Sequence, residues 1–246
     1  MSLMLAVDSG NTLIKWGLHN GTNWLETGKV QHCDISLLED SWCNLPKPTL
    51  IVASNVAGSD VKDTLSGLFK QWSIKPFWVQ SSSYLCGIRN LYSEPDQLGS
   101  DRWAALIAAW GLFNQSCLVV NVGTAMTVDM LSDSGVFLGG IITPGPGLLF
   151  RVLESNTAIS NIQSGNFNES PLCTENAIFT GVIHSLVGAV ERMFGLFCDN
   201  ADCTVHRCIV SGGSSSLLLP YMDFAVNIVD NLVLEGLIII AKEHIS

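Results

Sequence analysis

Short apolar runs alternate with glycine-containing turns along the first half of the chain. Residues 3–7 and 13–18 are apolar runs of strand length, and the turn from Asp8 to Thr12 separates them. The pair Asn20-Gly21 then predicts a hairpin turn, so antiparallel strands open the chain. The same criteria predict further elements, namely helices over 36–42, 59–72 and 101–113, strands over 49–53 and 76–79, and an irregular loop over 81–98 that is long enough to carry function.

The second half shows a similar order of strands, turns and helices. The predicted elements are strands over 117–120, 126–131, 136–142 and 208–210, helices over 148–154, 174–197 and 231–242, and a polar loop over 156–171. In particular, the segment from Val120 to Thr124 resembles the segment from Val7 to Thr12, because each follows an apolar strand and precedes a returning one. This repeat predicts two copies of one α/β unit, over residues 1–115 and 116–246, with their turns facing each other across a cleft.

The two repeated turns have the chemistry of a phosphate site. A turn that contains glycine exposes backbone N–H groups to phosphate oxygens, and a carboxylate at a strand end can hold Mg²⁺. A single Asp-x-Gly-Asn-Thr segment would more often be only a turn. Two copies, with Gly212-Gly213 after a third predicted strand, favour nucleotide binding. The common Gly-x-x-x-x-Gly-Lys-Ser/Thr and Gly-x-Gly-x-x-Gly motifs are absent from the sequence.

Composition narrows the classes of partner. The chain has 246 residues, 48% of them hydrophobic, and a formal net charge of -10, which disfavours a nucleic-acid partner. The sequence shows no signal peptide and no apolar run of membrane-spanning length, so we predict a cytoplasmic protein without a membrane partner. The eight cysteines form no Cys-x-x-Cys pair, and the spacing of Cys198, Cys203 and Cys208 is unusual for zinc, so we predict reduced thiols.

Seven motifs in order resemble one known family over almost the whole chain. They are Asp8 to Lys15, Gly99 to Arg102, Val120 to Asp129, Gly139 to Gly145, Thr174 to Gly181, Ser211 to Gly213 and Asn231 to Leu237. Together they resemble the type III pantothenate kinases, of the acetate kinase–sugar kinase–Hsp70–actin superfamily. The resemblance implies two similar ribonuclease-H-like α/β units facing across a nucleotide cleft, the actin-like ATPase fold.

The resemblance also implies the reaction. ATP phosphorylates pantothenate to 4′-phosphopantothenate, the first step of coenzyme A biosynthesis, with Mg²⁺ accompanying ATP. A homodimer is implied as well, with the long helix from Thr174 in the interface. Two alternatives stay open, because a fold hosts many functions. One is a kinase of another small alcohol, and the other is a regulatory or accessory protein with weak catalysis.

The family's functional residues carry over by motif. Asp101 is the implied general base, since a primary alcohol is a weak nucleophile; without the resemblance, Asp101 would be read as a residue favourable at a helix start. The implied ATP- and phosphate-binding residues are Asp8, Ser9, Gly10, Asn11, Thr12, Leu13, Ile14, Lys15 and Thr124. The implied substrate-binding residues, besides Asp101, are Tyr92, Gly99, Ser100, Arg102 and Thr174.

Several of these residues have simpler interpretations. Arg102 suits the pantothenate carboxylate, but could pair with Glu94 or Asp96 at the surface. Tyr92 could be a packed loop residue, Thr174 a helix cap and Lys15 a solvated strand residue. The five histidines receive no role.

Asn121 is the main departure from the family pattern. The family usually has Asp there, in association with a monovalent cation, K⁺ or NH₄⁺. Asparagine keeps one oxygen ligand and loses the charge, which weakens the expectation of a K⁺ requirement. Asp8 is the expected Mg²⁺ ligand, and Asp129 is expected to be structural or to assist the metal.

Overall fold

The chain separates into two compact units. The computed structural model describes residues 2–157, 165–200 and 207–245. Unit 1 comprises Met1–Asn114 and Asn231–Ser246, and unit 2 comprises Gln115–Asp230. Parts of the predicted loop over 156–171, together with Cys203 and His206, lie outside the described residues.

Unit 1 is built on a five-stranded sheet. Its elements are β1 (Met4–Ser9), β2 (Leu13–His19), β3 (Trp24–Gln31), α1 (Leu37–Trp42), β4 (Leu50–Asn55), α2 (Ser59–Phe69), β5 (Phe77–Trp78), the hairpin of β6 (Tyr84–Leu85) and β7 (Ile88–Asn90), and α3 (Ser100–Phe113). The strand order is β3-β2-β1-β4-β5, with β1 antiparallel to β2 and parallel to β4. Buried aromatic rings pack beneath this sheet, where Trp42 contacts Trp16, Phe69 and Trp72.

Unit 2 repeats the arrangement. Its elements are β8 (Cys117–Val122), β9 (Ala125–Leu131), β10 (Val136–Pro144), α4 (Pro146–Asn156), α5 (Thr174–Asn200), β11 (Arg207–Ser211) and β12 (Val226–Ile228). Within the unit the strand order is β12-β11-β8-β9-β10, with β8 antiparallel to β9 and parallel to β11. The order and directions match those of unit 1, so the predicted internal repeat is confirmed.

The closing helix corrects the predicted boundary. The sequence assigns residues 231–246 to the second unit, whereas α6 (Leu232–Ile245) groups with the first. The reason is close packing against α3, because a Cβ on Gly236 would lie 1.9 Å from the Ala104 carbonyl oxygen. The Trp24 Nε1–H also donates a 2.6 Å hydrogen bond to Glu235 Oε1, which fastens α6 to β3.

Smaller predictions also need correction. The loop over 81–98 contains the β6–β7 hairpin and a 3₁₀ turn over Pro95–Gln97. The helix predicted over 59–72 ends as α2 at Phe69 and continues as a 3₁₀ turn over Lys70–Trp72. Strand β12 lies in a segment for which the sequence predicts no strand.

Helix α5 bears on the prediction that the chain has no apolar segment of membrane-spanning length. By length and composition alone, its residues Thr174–Asp199 could cross a membrane, with a mean hydropathy of 1.3. The sequence pattern predicts no apolar run of that length, so this helix is a correction. Part of this apolar surface, including Ile183, Leu186 and Val190, packs into the core of unit 2, and 39% of the apolar stretch is buried in total.

Candidate active site

The first turn of the repeat places a carboxylate opposite a lysine. Asp8 lies near the end of β1, and the antiparallel register puts it directly across from Lys15 on β2. The turn between them is closed by Gly10, whose N–H donates to the Leu13 carbonyl at 3.1 Å. Asn11 and Thr12 at its tip are exposed. The turn therefore presents its backbone and polar side chains beside a buried acidic group.

Asp8 is held in an unusual electrostatic state. Its side chain is only 9% exposed, and burial, followed by the negative charge of Asp101, raises the pKa of Asp8 from 3.8 to about 7. The charge of Lys15 and a hydrogen bond from Ser54 act in the opposite direction. Oδ1 of Asp8 and the hydroxyl of Ser9 are buried without a hydrogen-bond partner in the described structure. Unpaired buried polar atoms of this kind lower stability, and a bound ligand would satisfy them.

Ser54 connects Asp8 to the start of α3. It lies opposite Asp8 in the parallel pair β1–β4, and its hydroxyl is 2.9 Å from the hydroxyl of Ser100. Ser100 is the first residue of α3 and directly precedes Asp101. Sequence reasoning missed Ser54, although its place at the end of an apolar strand parallel to β1 is a signal that could have found it.

Asp101 occupies the first turn of α3. Its Oδ1 accepts a 2.8 Å hydrogen bond from the Arg102 backbone N–H. Burial raises the pKa of Asp101, while the backbone N–H groups of Arg102 and Asp101 and the charge of Arg102 lower it. The predicted base is thus a partly desolvated carboxylate in the first turn of a helix, beside the cation of Arg102.

Arg102 and Tyr92 form the second predicted group. The guanidinium Nη1–H donates to the Tyr92 hydroxyl at 3.1 Å, and Cζ lies 5.8 Å from the centre of the tyrosine ring. Arg102 is only 6% exposed, so its guanidinium lies within the unit and not on its surface. Buried Asn90, another residue that sequence reasoning missed, orders this loop by accepting from the Tyr92 N–H and donating to the Pro95 carbonyl.

One residue of the predicted phosphate set faces away from any ligand. Ile14 is fully buried in the hydrophobic core of unit 1, so its side chain supports the sheet. Leu13 is partly buried and contributes the carbonyl that closes the turn. Any contacts from this segment to phosphate would therefore come from its backbone and from polar side chains such as those of Asn11 and Thr12.

The second turn, in unit 2, is braced by neighbouring backbone. The Gly123 N–H donates to the Ala125 carbonyl, and the Gly145 N–H donates to the Thr124 carbonyl at 2.9 Å. A Cβ on Gly145 would lie 2.1 Å from the Gly123 carbonyl oxygen, so only glycine allows this approach. Thr124 is thereby fixed at the turn.

The other predicted site residues of unit 2 lie on three different elements, β8, β9 and α5. Asn121 lies on β8, opposite Thr127 and Ser211, at the position equivalent to Asp8 on β1. Asp129 is buried on β9, across from Gly140. Thr174 is exposed and is the first residue of α5, while the Cys173 carbonyl accepts the first helical hydrogen bond.

The residues of unit 1 fit a divalent cation at Asp8. The unpaired buried Oδ1 offers an anionic oxygen, which is the ligand type that Mg²⁺ prefers. Over residues 2–157, 165–200 and 207–245, no cluster of three or more His, Cys, Asp or Glu side chains could hold a metal ion by itself. This donor set suits an ion bound through one or two carboxylates together with phosphates and water.

Comparisons of the sequence agree with one another. The profile of a family described as type III pantothenate kinase matches residues 4–195. A type III pantothenate kinase of Nitrosospira multiformis is 49% identical over 241 residues, which cover 98% of this chain and 92% of that protein. A type III pantothenate kinase of Nitrosomonas eutropha is 46% identical and covers 98% and 95% of the two chains.

Comparison of structures identifies the fold. The activator of the 2-hydroxyisocaproyl-CoA dehydratase from Clostridium difficile, with bound ADPNP, aligns with a TM-score of 0.60 at 10% identity, over 97% of this chain and 92% of that one. Neighbours of this kind have the actin-like ATPase and sugar kinase fold. The predicted fold class is therefore confirmed.

Proposed function

The chain belongs to the type III pantothenate kinases, which phosphorylate pantothenate with ATP in coenzyme A biosynthesis, and on that premise we propose that Asp101 is the general base. The observation that carries the proposal is the position of this carboxylate. It is partly desolvated at the start of α3, one residue from the hydroxyl bridge to Ser54 and Asp8.

The proposed step follows from the chemistry of phosphoryl transfer. The primary hydroxyl oxygen of pantothenate forms a bond to the γ-phosphorus as the bond to the β,γ-bridging oxygen breaks, and ADP leaves. Asp101 accepts the hydroxyl proton. Burial raises the pKa of this carboxylate and so makes it a stronger base than a solvated one, while the backbone N–H and the charge of Arg102 act in the opposite direction.

Asp8 is the proposed carboxylate ligand for the divalent ion that accompanies ATP in this family. When bound there with ATP, Mg²⁺ would neutralise charge on the phosphates. Asp8 would then exchange its proton for the cation, and its unpaired Oδ1 would gain a partner. Lys15, directly across the strand pair, is placed to add positive charge at the same turn.

Substrate recognition is assigned to the polar groups near Asp101. Arg102 is buried and hydrogen-bonded to Tyr92, so its guanidinium is oriented before substrate arrives. Pantothenate carries a carboxylate that a guanidinium recognises well. The proposed donors to phosphate are the exposed residues Asn11 and Thr12 and the unpaired hydroxyl of Ser9. Gly10 shapes the turn, because its N–H is bonded to the Leu13 carbonyl. Thr124 is proposed to contact an ATP phosphate, and Thr174 is proposed to contact pantothenate.

The test is substitution of the base with a matched control. In Asp101→Asn, the side chain keeps its size and loses the ability to take a proton, so kcat is expected to fall by about 10² to 10⁴-fold. The affinity for ADP, measured by calorimetry, should change little. Asp96→Asn removes an exposed carboxylate from the same region and should retain wild-type turnover. An Asp101→Asn enzyme within about tenfold of wild-type kcat would overturn the assignment.

A monovalent cation site at Asn121 is a weaker proposal. Asn121 occupies the position on β8 that Asp8 occupies on β1, and an amide oxygen is a neutral ligand for K⁺ or NH₄⁺. We expect only a small K⁺ activation in the wild type. In Asn121→Asp, the added charge should increase that activation, and an unchanged response would contradict a cation site at this position.

Homodimer formation through the long helix α5 is proposed, as the resemblance implies. This helix is apolar enough to cross a membrane, yet only 39% of its apolar stretch is buried within the chain. Exposed apolar surface of this kind is typical of an interface between copies of a chain. Light scattering during gel filtration should give twice the monomer mass, whereas a monomer at micromolar concentration would contradict this. The cytoplasmic location also stays a prediction.

A further inference from the structure

His32 lies beside the phosphate turn, although no motif includes it. The β2–β3 register ends with Leu13 opposite Gln31, and His32 is the next residue, at the start of a 3₁₀ turn. The chain therefore leaves the sheet at the edge where the turn from Ser9 to Thr12 projects. The pairing of β2 with β3 brings this partly buried histidine to that edge.

The histidine ring contacts the backbone of the turn. Its Nε2 lies 2.6 Å from the Gly10 carbonyl oxygen. A carbonyl oxygen only accepts, so Nε2 carries the proton and donates it. Since the Gly10 N–H is already bonded to Leu13, both polar atoms of this glycine are engaged. The most flexible residue of the turn is thus held from two sides.

The orientation of one peptide plane follows from this contact. A peptide bond is planar and trans, so the Gly10 carbonyl and the Asn11 N–H point in opposite directions. Holding the carbonyl toward His32 aims the Asn11 N–H away from it and keeps a carbonyl oxygen from turning toward an anion. We propose that His32 is a positioning residue that orients the Asn11 N–H toward a phosphate of ATP. The inference rests on the proposed phosphate-binding role of this turn.

The other ring nitrogen supports a specific role for the Gly10 contact. Nδ1 of His32 is buried and has no hydrogen-bond partner within the described residues. A buried nitrogen without a partner lowers stability, so the ring does not occupy this site to satisfy its own polar atoms. The hydrogen bond to the phosphate turn is the contact that accounts for its placement.

The test separates nucleotide binding from general structure. His32→Phe keeps an aromatic ring and removes the donor, His32→Gln retains a donor of similar reach, and His32→Asn retains a donor of shorter reach. The matched control is His244→Gln, which alters an exposed histidine at the end of α6. For each full-length protein we would measure the dissociation constant of Mg-ADP by calorimetry, and the KM values for ATP and pantothenate.

The expected result is a loss confined to the nucleotide. One hydrogen bond corresponds to about a five- to tenfold change in affinity, so His32→Phe should weaken Mg-ADP binding and raise KM for ATP by that factor. The KM for pantothenate should stay within about twofold, and His32→Gln should lie close to wild type. Equal losses for both substrates, or unchanged nucleotide affinity in His32→Phe, would overturn the proposal.

Two features keep the result decisive. If His32→Phe does not fold, the pair of amide variants replaces it: tighter Mg-ADP binding by Gln than by Asn supports the proposal, and equal binding overturns it. Because ADP binding involves no proton transfer, failure of the Asp101 assignment leaves this test intact. Conversely, a negative result for His32 leaves the role of Asp101 unchanged.

Discussion

Ser54 and Asp8 lie side by side on the adjacent parallel strands β4 and β1, and the Ser54 hydroxyl lowers the pKa of the Asp8 carboxyl. The same hydroxyl is 2.9 Å from Ser100, next to the proposed base. One small buried residue therefore touches both the metal-binding carboxylate and the beginning of α3. This places Ser54 in a position to couple metal binding to the catalytic carboxylate.

Removing this hydroxyl should change the magnesium requirement. In Ser54→Ala, the pKa of Asp8 rises above about 7, so protons compete more strongly with Mg²⁺ for its oxygens near neutral pH. We expect the Mg²⁺ concentration for half-maximal activity to increase by roughly three- to tenfold at pH 7. The difference should shrink by pH 9, where Asp8 is ionised in both proteins.

Ser66→Ala is the control for this prediction. Ser66 lies in unit 1 too, where it is partly buried, but its hydroxyl donates to the Lys62 carbonyl within α2. Its Mg²⁺ response should match wild type at both pH values. A Ser54→Ala enzyme with the same Mg²⁺ dependence as wild type at pH 7 would show that the hydroxyl does not influence Asp8.

Asp8 should also make the metal-free protein sensitive to pH. The unfolded chain releases this proton near pH 3.8, whereas the folded chain retains it up to about pH 7. The folded state thus binds more protons in this window, and its free energy of unfolding falls as pH rises through it. At one pKa unit per 1.36 kcal/mol, the loss is at most about 4 kcal/mol.

Urea unfolding of the metal-free protein at pH 5 and pH 8 measures this effect. Asp8→Asn cannot ionise, so its stability should fall less than that of the wild type between the two pH values. Asp63→Asn, which changes an exposed carboxylate on α2, should follow the wild type. Identical pH slopes for wild type and Asp8→Asn would contradict a raised pKa at Asp8.

The local parts of the fold were predictable from sequence, because they follow from short-range patterns. Alternating apolar runs and glycine turns indicated both strand–turn–strand units, and the observed sheets repeat the same strand order. The placement of α6 with unit 1 was not predictable in this way. It depends on the contact of Gly236 with the backbone of Ala104, more than a hundred residues away in the chain.

In the candidate site, too, the sequence predicts some residues, while others are found only through long-range contacts. Motifs located Asp8, Asp101 and Arg102, whose residue types carry the chemistry. Ser54 and His32 lie outside these motifs, since they act through strand register and backbone contact. Conversely, the first phosphate motif, from Asp8 to Lys15, includes a residue that cannot contact phosphate through its side chain. Strand alternation directs the side chain of Ile14 into the core.

Gly99 provides a test of how closely Asp101 must be positioned. It precedes α3 and accepts the first helical hydrogen bond, from Trp103. A Cβ at this position would lie 2.6 Å from Asp101 Oδ1, so Gly99→Ala must displace the carboxylate. Because a side-chain oxygen can move where backbone cannot, the fold should survive. We expect kcat to drop by about 10²-fold, with little change in the melting temperature or in ADP affinity.

Gly67→Ala is the control, since its Cβ would meet nothing within 4 Å in the interior of α2. That variant should gain about 0.5–1 kcal/mol of stability and keep full activity. Wild-type kcat in a folded Gly99→Ala enzyme would mean that Asp101 does not need its observed position, and would weaken its assignment as the base.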